Sequence, residues 1–176
     1  MGGAAPQVSP GGVAASWLKP EWIRTNSLIF FKFTAVGTPK PKARARTVRD
    51  KNGAIMTFTP DSTVNWEDTI AWQAKQALAA MMMDHPGEYD VLPIKGRIVV
   101  SLRFNVKRPA SLPKKVQYPM TSRPGDLDNL EKCVLDALQK VGIIENDKTV
   151  TDMDSCKRFA DAEHPEGVEI ELTGWF

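Results

Sequence analysis

The segment 123–150, RPGDLDNLEKCVLDALQKVGIIENDKTV, decides the fold and carries the most specific chemistry of the chain. Apolar side chains recur in it at helical spacing and form one stripe, made of Leu127, Leu130, Val134, Leu138 and Val141. Gly142 is a typical C-terminal stop for such a helix. The pattern therefore predicts an amphipathic helix from about Asp126 to Val141, followed by a turn into the next strand.

Three aspartates lie at the two ends of this predicted helix. Asp126 and Asp128 stand at its start, and Asp147 follows its far end, 19 residues beyond Asp128. A capping box of Asp128 and Glu131 explains one aspartate and a turn explains Asp147, but capping does not account for all three. A helix of about four turns rises ~20 Å, so Asp147 joins the others only if the chain runs back along the helix. Three carboxylates that meet would suit Mg²⁺ or Mn²⁺.

Lys132 lies one turn after Asp128 on the same helical face. Two roles are open for it, an ion pair within the helix with Asp128 or Asp136, or a cation beside a metal that contacts a phosphate oxygen. Asn129 can cap the helix, orient a ligand or contact a substrate. Calcium loops and phosphate-binding loops fit worse, because the segment lacks their glycines and the terminal glutamate at the required positions.

Composition limits the broad class of protein. The 176 residues, 42% of them hydrophobic, suit one domain with a substantial core. We expect a cytoplasmic protein, because no run of ~18 apolar residues suggests a membrane helix and the N-terminus does not resemble a signal peptide. Cys133 and Cys156 form no disulfide framework, and the cysteines and histidines show no zinc-binding spacing.

Charge is distributed unevenly along the chain, although the net charge is only +2. Residues 1–60 contain nine Lys or Arg and two Asp or Glu, whereas residues 145–176 contain three and nine. The prolines and Asn52-Gly53 predict that 38–53 is a basic loop, and its cations suggest contacts to a polyanion. The cations in question are Lys40, Lys42, Arg44, Arg46 and Arg49. A solvated basic turn is the alternative.

The order of predicted elements indicates an α+β fold. Strands are predicted at 27–37, 96–106 and twice after residue 148, with a short strand at 54–60, and a first long helix at 61–83. This order predicts a single domain over residues 27–176 with a mixed β-sheet and two main helices. Residues 1–26, rich in Gly, Ala and Pro, are predicted to form a flexible arm.

The motifs DLDNLEKCVLDAL and GIIENDKTV closely resemble the signature of RusA-type Holliday junction resolvases. The resemblance extends to VGTPKPKARAR and TFTP near the N-terminus and to CKRF and HPEGVEIEL near the C-terminus, so that it covers roughly 29–173. The family commonly has two adjacent aspartates at the acidic turn, where this chain has Asn146-Asp147.

The resemblance implies a RusA-like fold and a homodimeric, Mg²⁺-dependent endodeoxyribonuclease of recombination and repair, with Mn²⁺ as a possible substitute. Its substrates would be four-way junctions or other branched DNA, and each subunit would nick one of two opposed strands. By residue, Asp126, Asp128 and Asp147 match the catalytic, metal-binding aspartates, and Lys132 matches the essential lysine. With this metal site, we predict that Lys40, Lys42, Arg44, Arg46 and Asn129 bind DNA.

Two other functions are compatible with parts of the sequence. A branched-DNA-binding protein without catalysis needs the basic loop but not three carboxylates. A carboxylate-metal transferase acting on a sugar nucleotide needs the acidic motif, but such enzymes usually have a longer chain. The strand at 96–106 and the methionine end of the first helix are the predicted candidates for a dimer interface.

Overall fold

The computed structural model describes residues 20–25, 27–42, 46–49, 51, 53–58, 61–87, 91–120 and 124–175. Two helices are present in these ranges, α1 (Asp61–Asp84) and α2 (Leu127–Lys140). The strands are β1 (Glu21–Arg24), β2 (Leu28–Val36), β3 (Arg46–Arg49), β4 (Ile55–Phe58), β5 (Ile98–Val106), β6 (Val150–Phe159) and β7 (Gly167–Trp175). None of the helices in the described part of the chain combines the length and apolar character that crossing a membrane requires.

Five strands form one mixed sheet in the order β1-β2-β7-β5-β6. Neighbouring strands are antiparallel except β5 and β6, which are parallel and connected through α2. Parallel neighbours need such a crossover, because a tight turn joins only antiparallel strands and the chain must return to the starting end of the sheet before the second parallel strand begins. The predicted α+β fold with a mixed sheet and two main helices is therefore confirmed.

The core lies between one face of this sheet and the two helices. Buried and half-buried residues alternate along β2 and β7, as expected when only one sheet face is covered. Buried side chains of α1 and α2 belong to the same apolar cluster as those of the sheet. The opposite face of the sheet carries charged pairs such as Lys32–Glu171 at 3.0 Å and Arg103–Asp154 at 3.0 Å. The helices therefore present their outer faces on one side of the molecule.

Two predictions about local structure were wrong in part. Arg46–Arg49, predicted as loop, pairs with β4 in a separate two-stranded hairpin. Glu21–Arg24, placed in the N-terminal arm, pairs with β2 as an edge strand of the main sheet. Arm residues 1–19 lie outside the described ranges.

The strand at 96–106 does not offer a free edge for a dimer interface. β5 is hydrogen-bonded to β7 on one side and to β6 on the other. The methionine end of α1, in contrast, does expose apolar surface, since Met83 is 85% and Met82 50% exposed. Trp72, 63% exposed, extends apolar surface along the same helix.

Candidate active site around helix α2

The start of α2 presents two carboxylates to solvent. Asp126 occupies the N-cap position with extended backbone, but its side chain makes no capping hydrogen bond. Asp128, in the first turn, is exposed, and the Asn129 amide nitrogen Nδ2 lies 3.4 Å from its Oδ1. The alternative of a capping box between Asp128 and Glu131 does not describe this helix start, because the N-cap is Asp126 and Glu131 accepts a hydrogen bond from Ser155 on β6. In the part of the chain that the structure describes, neither aspartate side chain caps the helix, so both are available to a ligand.

A close backbone contact fixes the entry into this helix start. Gly125 has φ of +151°, and a Cβ at this position would lie 2.7 Å from the Pro41 side chain. The Gly125 carbonyl accepts a hydrogen bond from Lys157 Nζ at 3.0 Å. The Lys42 backbone N–H donates to the Asn129 carbonyl at 2.8 Å. The segment around Pro41 is thus docked directly against the turn that carries Asp126 and Asp128.

The chain after α2 runs back along the helix, as the placement of Asp147 required. Gly142, with φ of +74°, turns the chain at the end of α2, and Ile143 and Ile144 are buried. Asp147 then begins a short 3-10 helix, whose preceding residue, Asn146, accepts the Lys148 backbone N–H at 2.9 Å. An Asx turn of this kind fixes the direction of Asp147. Since an aspartate accepts the same bond, Asn146 preserves the turn of the usual Asp-Asp pair.

Lys132 connects the returning chain to the front half of the helix. Its Nζ lies 2.5 Å from Asp147 Oδ2 and 2.9 Å from Asp136 Oδ1. Asp147 is consequently next to a residue one turn after Asp128, although the two aspartates are 19 positions apart in the sequence. Of the two ion pairs considered for Lys132 within the helix, the one with Asp136 is formed.

Asp136 is the centre of a longer ion-pair chain. Its Oδ2 lies 2.9 Å from Lys42 Nζ, which in turn is 2.5 Å from Glu67 Oε2 on α1. Charges therefore alternate from Glu67 through Lys42, Asp136 and Lys132 to Asp147, and they link both helices to the 38–42 segment. The sequence predicted Asp136 as a possible partner of Lys132, because the two residues are four positions apart on one helix. Glu67 gave no local signal, because its contact with Lys42 joins residues 25 positions apart.

The ion pairs and the burial of these side chains shift the pKa values of several groups along α2. The hydrogen bonds that Lys132 donates to the Asp147 and Asp136 carboxylates raise the pKa of its ammonium above the usual value. Burial raises the pKa of the Asp136 carboxyl, but hydrogen bonds from Lys42 and Lys132 outweigh it and bring the net pKa below its usual value. Burial raises the pKa of the Cys133 thiol to about 12, so this cysteine is an inert core residue.

The five residues predicted to bind DNA differ in exposure and in their contacts. Lys40 is exposed, whereas the Lys42 ammonium is engaged by Glu67 and Asp136. Arg44 and the side chain of Arg46 lie outside the described part of the structure. Asn129 is half-buried beside Asp128. The DNA contacts of all five residues stay predictions.

The metal-binding role of the three aspartates also stays a prediction. Among the described residues, no three His, Cys, Asp or Glu side chains stand close enough together to hold a metal ion. Mg²⁺ keeps several waters and is commonly held by only one or two protein carboxylates plus substrate phosphates. The two exposed aspartates at the start of α2 fit that mode of binding, because they are hard oxygen ligands.

Comparison with known proteins identifies the family. A model of the family described as Endodeoxyribonuclease RusA matches residues 37–173. This chain belongs to the RusA endodeoxyribonuclease family. A curated relative, Crossover junction endodeoxyribonuclease RusA of Aquifex aeolicus (strain VF5), is 25% identical over 134 residues, which cover 76% of this chain and 83% of the relative. The resemblance to RusA-type resolvases drawn from the sequence motifs is thereby confirmed.

The RusA match spans the entire candidate site. It includes the basic segment after Gly37, both helices and the short 3-10 helix that begins at Asp147. It also includes Glu67 and Asp136, so the ion-pair chain lies wholly inside the RusA region. Strands β1 and β2 precede the matched range.

Proposed function

We propose that this RusA-family protein is a structure-selective endodeoxyribonuclease that resolves Holliday junctions by paired nicks on opposed strands, in recombination and repair. The relative's name, crossover junction endodeoxyribonuclease, and the family description support this activity. The structural observation that supports it most is the Lys132–Asp147 ion pair. It brings the acidic turn back to the helix half that begins with Asp126 and Asp128.

RusA-family nucleases generally depend on a divalent metal, and we propose Mg²⁺, with Mn²⁺ as a substitute. Asp126 and Asp128 would hold it, with Asp147 as the third ligand. When bound, such an ion would lower the pKa of a water molecule that it binds and would neutralise negative charge on the phosphate. Asp147 is engaged by Lys132 in this structure, so its participation requires Lys132 to move from Asp147 toward the phosphate.

Lys132 is suited to a role beside the scissile phosphate. Its ammonium is charged at neutral pH, its two carboxylate partners raise its pKa further, and it is half-exposed at the surface of α2. A fixed cation near the reacting phosphate stabilises the charge that develops there. Asp136 retains a contact to Lys132 when Asp147 is released, so the ammonium stays near the site.

DNA backbone contacts follow from the basic segments on this side of the molecule. Lys40 is exposed close to the entry into α2, and Lys107, Lys114 and Lys115 are exposed in the loop that precedes α2. Phosphate contacts of this kind position DNA without reading its sequence. We propose that Lys42 holds the site together and does not contact DNA, because its half-buried ammonium is engaged by two carboxylates.

Paired cutting requires two active sites. A four-way junction has approximate two-fold symmetry, and a two-fold homodimer places two copies of the site in matching positions. We propose that the exposed surface of α1 around Trp72, Met82 and Met83 contributes to that interface, since large exposed apolar patches commonly mark association sites.

The proposed function is tested with a labelled four-way junction and a duplex of the same sequence. We expect Mg²⁺-dependent cleavage of the junction, loss of cleavage in chelator, and much slower cutting of the duplex. Heterodimers that pair one wild-type subunit with one Asp128→Asn subunit should nick a single strand. Binding of the junction without metal-dependent cleavage would instead identify a protein that recognises branched DNA but does not cut it.

A further inference from the structure

A large groove lies beside the candidate active site and is separate from the proposed metal ligands. Its volume is about 980 Å³. One wall is formed by Thr38, Pro39 and Lys40, and the other by the loop from Lys107 to Met120. Pro124, two residues before Asp126, also lines the groove. The groove therefore ends at the turn that carries the candidate metal-binding aspartates.

The groove combines exposed apolar side chains with cations. Tyr118 is 64% and Met120 87% exposed, although both are large and mostly apolar. Lys40 and Lys107 contribute ammonium groups to the lining, and Glu166 contributes a carboxylate. A flat aromatic surface beside positive charge is the combination that binds an unpaired nucleotide, because the base stacks on the ring and the phosphate contacts the cations.

The loop that forms the outer wall is held in place by specific contacts. Arg108 stacks over the Phe159 ring, with its guanidinium carbon 4.6 Å from the ring centre, and donates a hydrogen bond to the Pro113 carbonyl at 2.8 Å. Backbone bonds from Leu112 to Pro109 and from Val116 to Pro113 add two turns. The opposite wall, residues 38–40, is also held next to the start of α2, because the following residue, Pro41, packs on Gly125. A nucleotide in the groove would thus have a defined position relative to Asp126.

We propose that this groove binds one unpaired or unstacked nucleotide of the DNA strand beside the cut, with its base on Tyr118. The proposal rests on the proposed function and adds a substrate subsite to it. A base inside a duplex is stacked on both sides and must be unstacked before it can be extruded, whereas at a strand exchange point this cost is lower. The groove would therefore favour branched DNA over duplex through stacking, in addition to the charge-based contacts that both kinds of DNA share.

The test compares Tyr118→Ala with Tyr118→Phe, which keeps the ring and removes only the hydroxyl. Affinity is measured without divalent metal, on a four-way junction and on a duplex of the same sequence. Because stacking on one aromatic ring typically contributes ~1–3 kcal/mol, Tyr118→Ala should weaken junction binding by roughly 5- to 150-fold. Tyr118→Phe should bind the junction like wild type, and duplex affinity should change little in either variant.

A second arm of the experiment removes the base instead of the ring. Abasic sites placed singly around the exchange point should include one that weakens wild-type binding by a similar factor. Tyr118→Ala should lose little further affinity for that junction, since the two changes remove the same contact. Equal loss of junction and duplex affinity in Tyr118→Ala, or additive losses with every abasic site, would overturn the stacking subsite.

Failure of the subsite and failure of the proposed function give different results. If wild type shows no preference for the junction, the proposed function fails, and the groove is then tested with a single-stranded oligothymidine. Weaker binding of that strand by Tyr118→Ala, but not by Tyr118→Phe, supports a nucleotide-binding groove. Unchanged binding by both variants refutes it.

Discussion

The start and the middle of helix α2 hold their charges in opposite ways. At the start, Asp126 and Asp128 are exposed, and Asp126 does not even make the capping bond that its position allows. In the middle, Lys132 and Asp136 are held by partners from the acidic turn and the 38–42 segment. Among the described residues neither of these carboxylates has a cationic partner, so both can bind a ligand, whereas the paired charges in the middle of the helix hold the elements of the site together. The comparison therefore separates residues expected to affect chemistry from residues expected to affect stability.

The largest effect is expected at the helix start. Asp126→Asn and Asp128→Asn each remove a charged ligand without removing volume, so junction cleavage should fall by at least roughly 10²-fold. The free energy of unfolding should change by no more than about 0.5 kcal/mol, because both side chains are at the surface. Single-turnover cleavage and urea denaturation measure the two quantities. Asp84→Asn, an exposed aspartate at the end of α1, is the matched control and should retain full activity.

A variant of Asp126 or Asp128 that cuts normally at saturating Mg²⁺ would remove that residue from the metal site. A variant that loses activity together with several kcal/mol of stability would show that the helix start is structural after all.

Lys132→Ala should affect both chemistry and stability, because this residue belongs to both regions. Loss of a cation that contacts the phosphate in the transition state corresponds to ~3 kcal/mol, or roughly 10²-fold in rate. Loss of its two surface ion pairs should cost only about 1 kcal/mol or less of stability. Cleavage rate and thermal unfolding should be measured on the same preparation. An early-melting variant that still cuts well would assign Lys132 a structural role.

Asp136→Asn should produce a smaller loss of activity, with stability affected more than by substitution of Asp126 or Asp128. The amide keeps the volume but weakens the contacts to Lys42 and Lys132, so we expect a rate loss of roughly 10-fold, as is usual for residues that orient a functional group. Stability should fall by about 1–3 kcal/mol, since hydrogen bonds between charged groups are lost. Asp68→Asn is the matched control, because it removes the Lys140–Asp68 pair at 2.5 Å, which also joins the two helices.

Asp68→Asn should cost under ~1 kcal/mol and leave the cleavage rate unchanged, since both partners of that pair are half-exposed. Equal behaviour of the Asp136 and Asp68 variants would remove the distinction between the ion-pair chain and an ordinary surface ion pair.

Substitutions of the two lysines in the 38–42 segment should have different effects, because we expect Lys40 to contact DNA and Lys42 to form ion pairs within the protein. If Lys40 neutralises one phosphate, Lys40→Gln should reduce the slope of log affinity against log salt by about 0.9. Lys42→Gln should leave the slope unchanged and lower the melting temperature, because its ammonium pairs with Glu67 and Asp136. Binding titrations at several salt concentrations measure the slope. A reduced slope for Lys42→Gln would return this residue to the DNA-binding surface.

The smallest expected effect concerns acid stability. Asp136 has a pKa below its usual value in the folded protein, because hydrogen bonds from Lys42 and Lys132 outweigh the opposing effect of burial. Its stabilising contribution is therefore complete above the unfolded pKa near ~3.9, and it is lost as pH falls through the lower folded pKa. The difference in unfolding free energy between wild type and Asp136→Asn should be constant near neutral pH and shrink below about pH 4. A difference that persists unchanged in acid would contradict this account.

Sequence periodicity alone was enough to predict the main elements of the fold. The helix at 61–83 and the helix in 123–150 were predicted within a few residues of α1 and α2, because each has an apolar stripe and a clear stop. Short pairings were harder to predict. β3 lies in a segment rich in Pro and Arg, and it is defined only by its cross-strand partner β4.

The candidate site shows the same division. Asp126, Asp128, Lys132 and Asp147 were found by sequence because they stand in one contiguous motif that resembles the RusA signature. Only the tertiary structure decided that the chain after Gly142 returns along α2, which brings Asp147 to Lys132. It also decided that Lys42 points into an ion-pair chain with Glu67 and Asp136, and that Tyr118 and Pro124 line one groove. Local periodicity predicts which residues share a helix face, but contacts between distant segments depend on how the sheet packs those segments together.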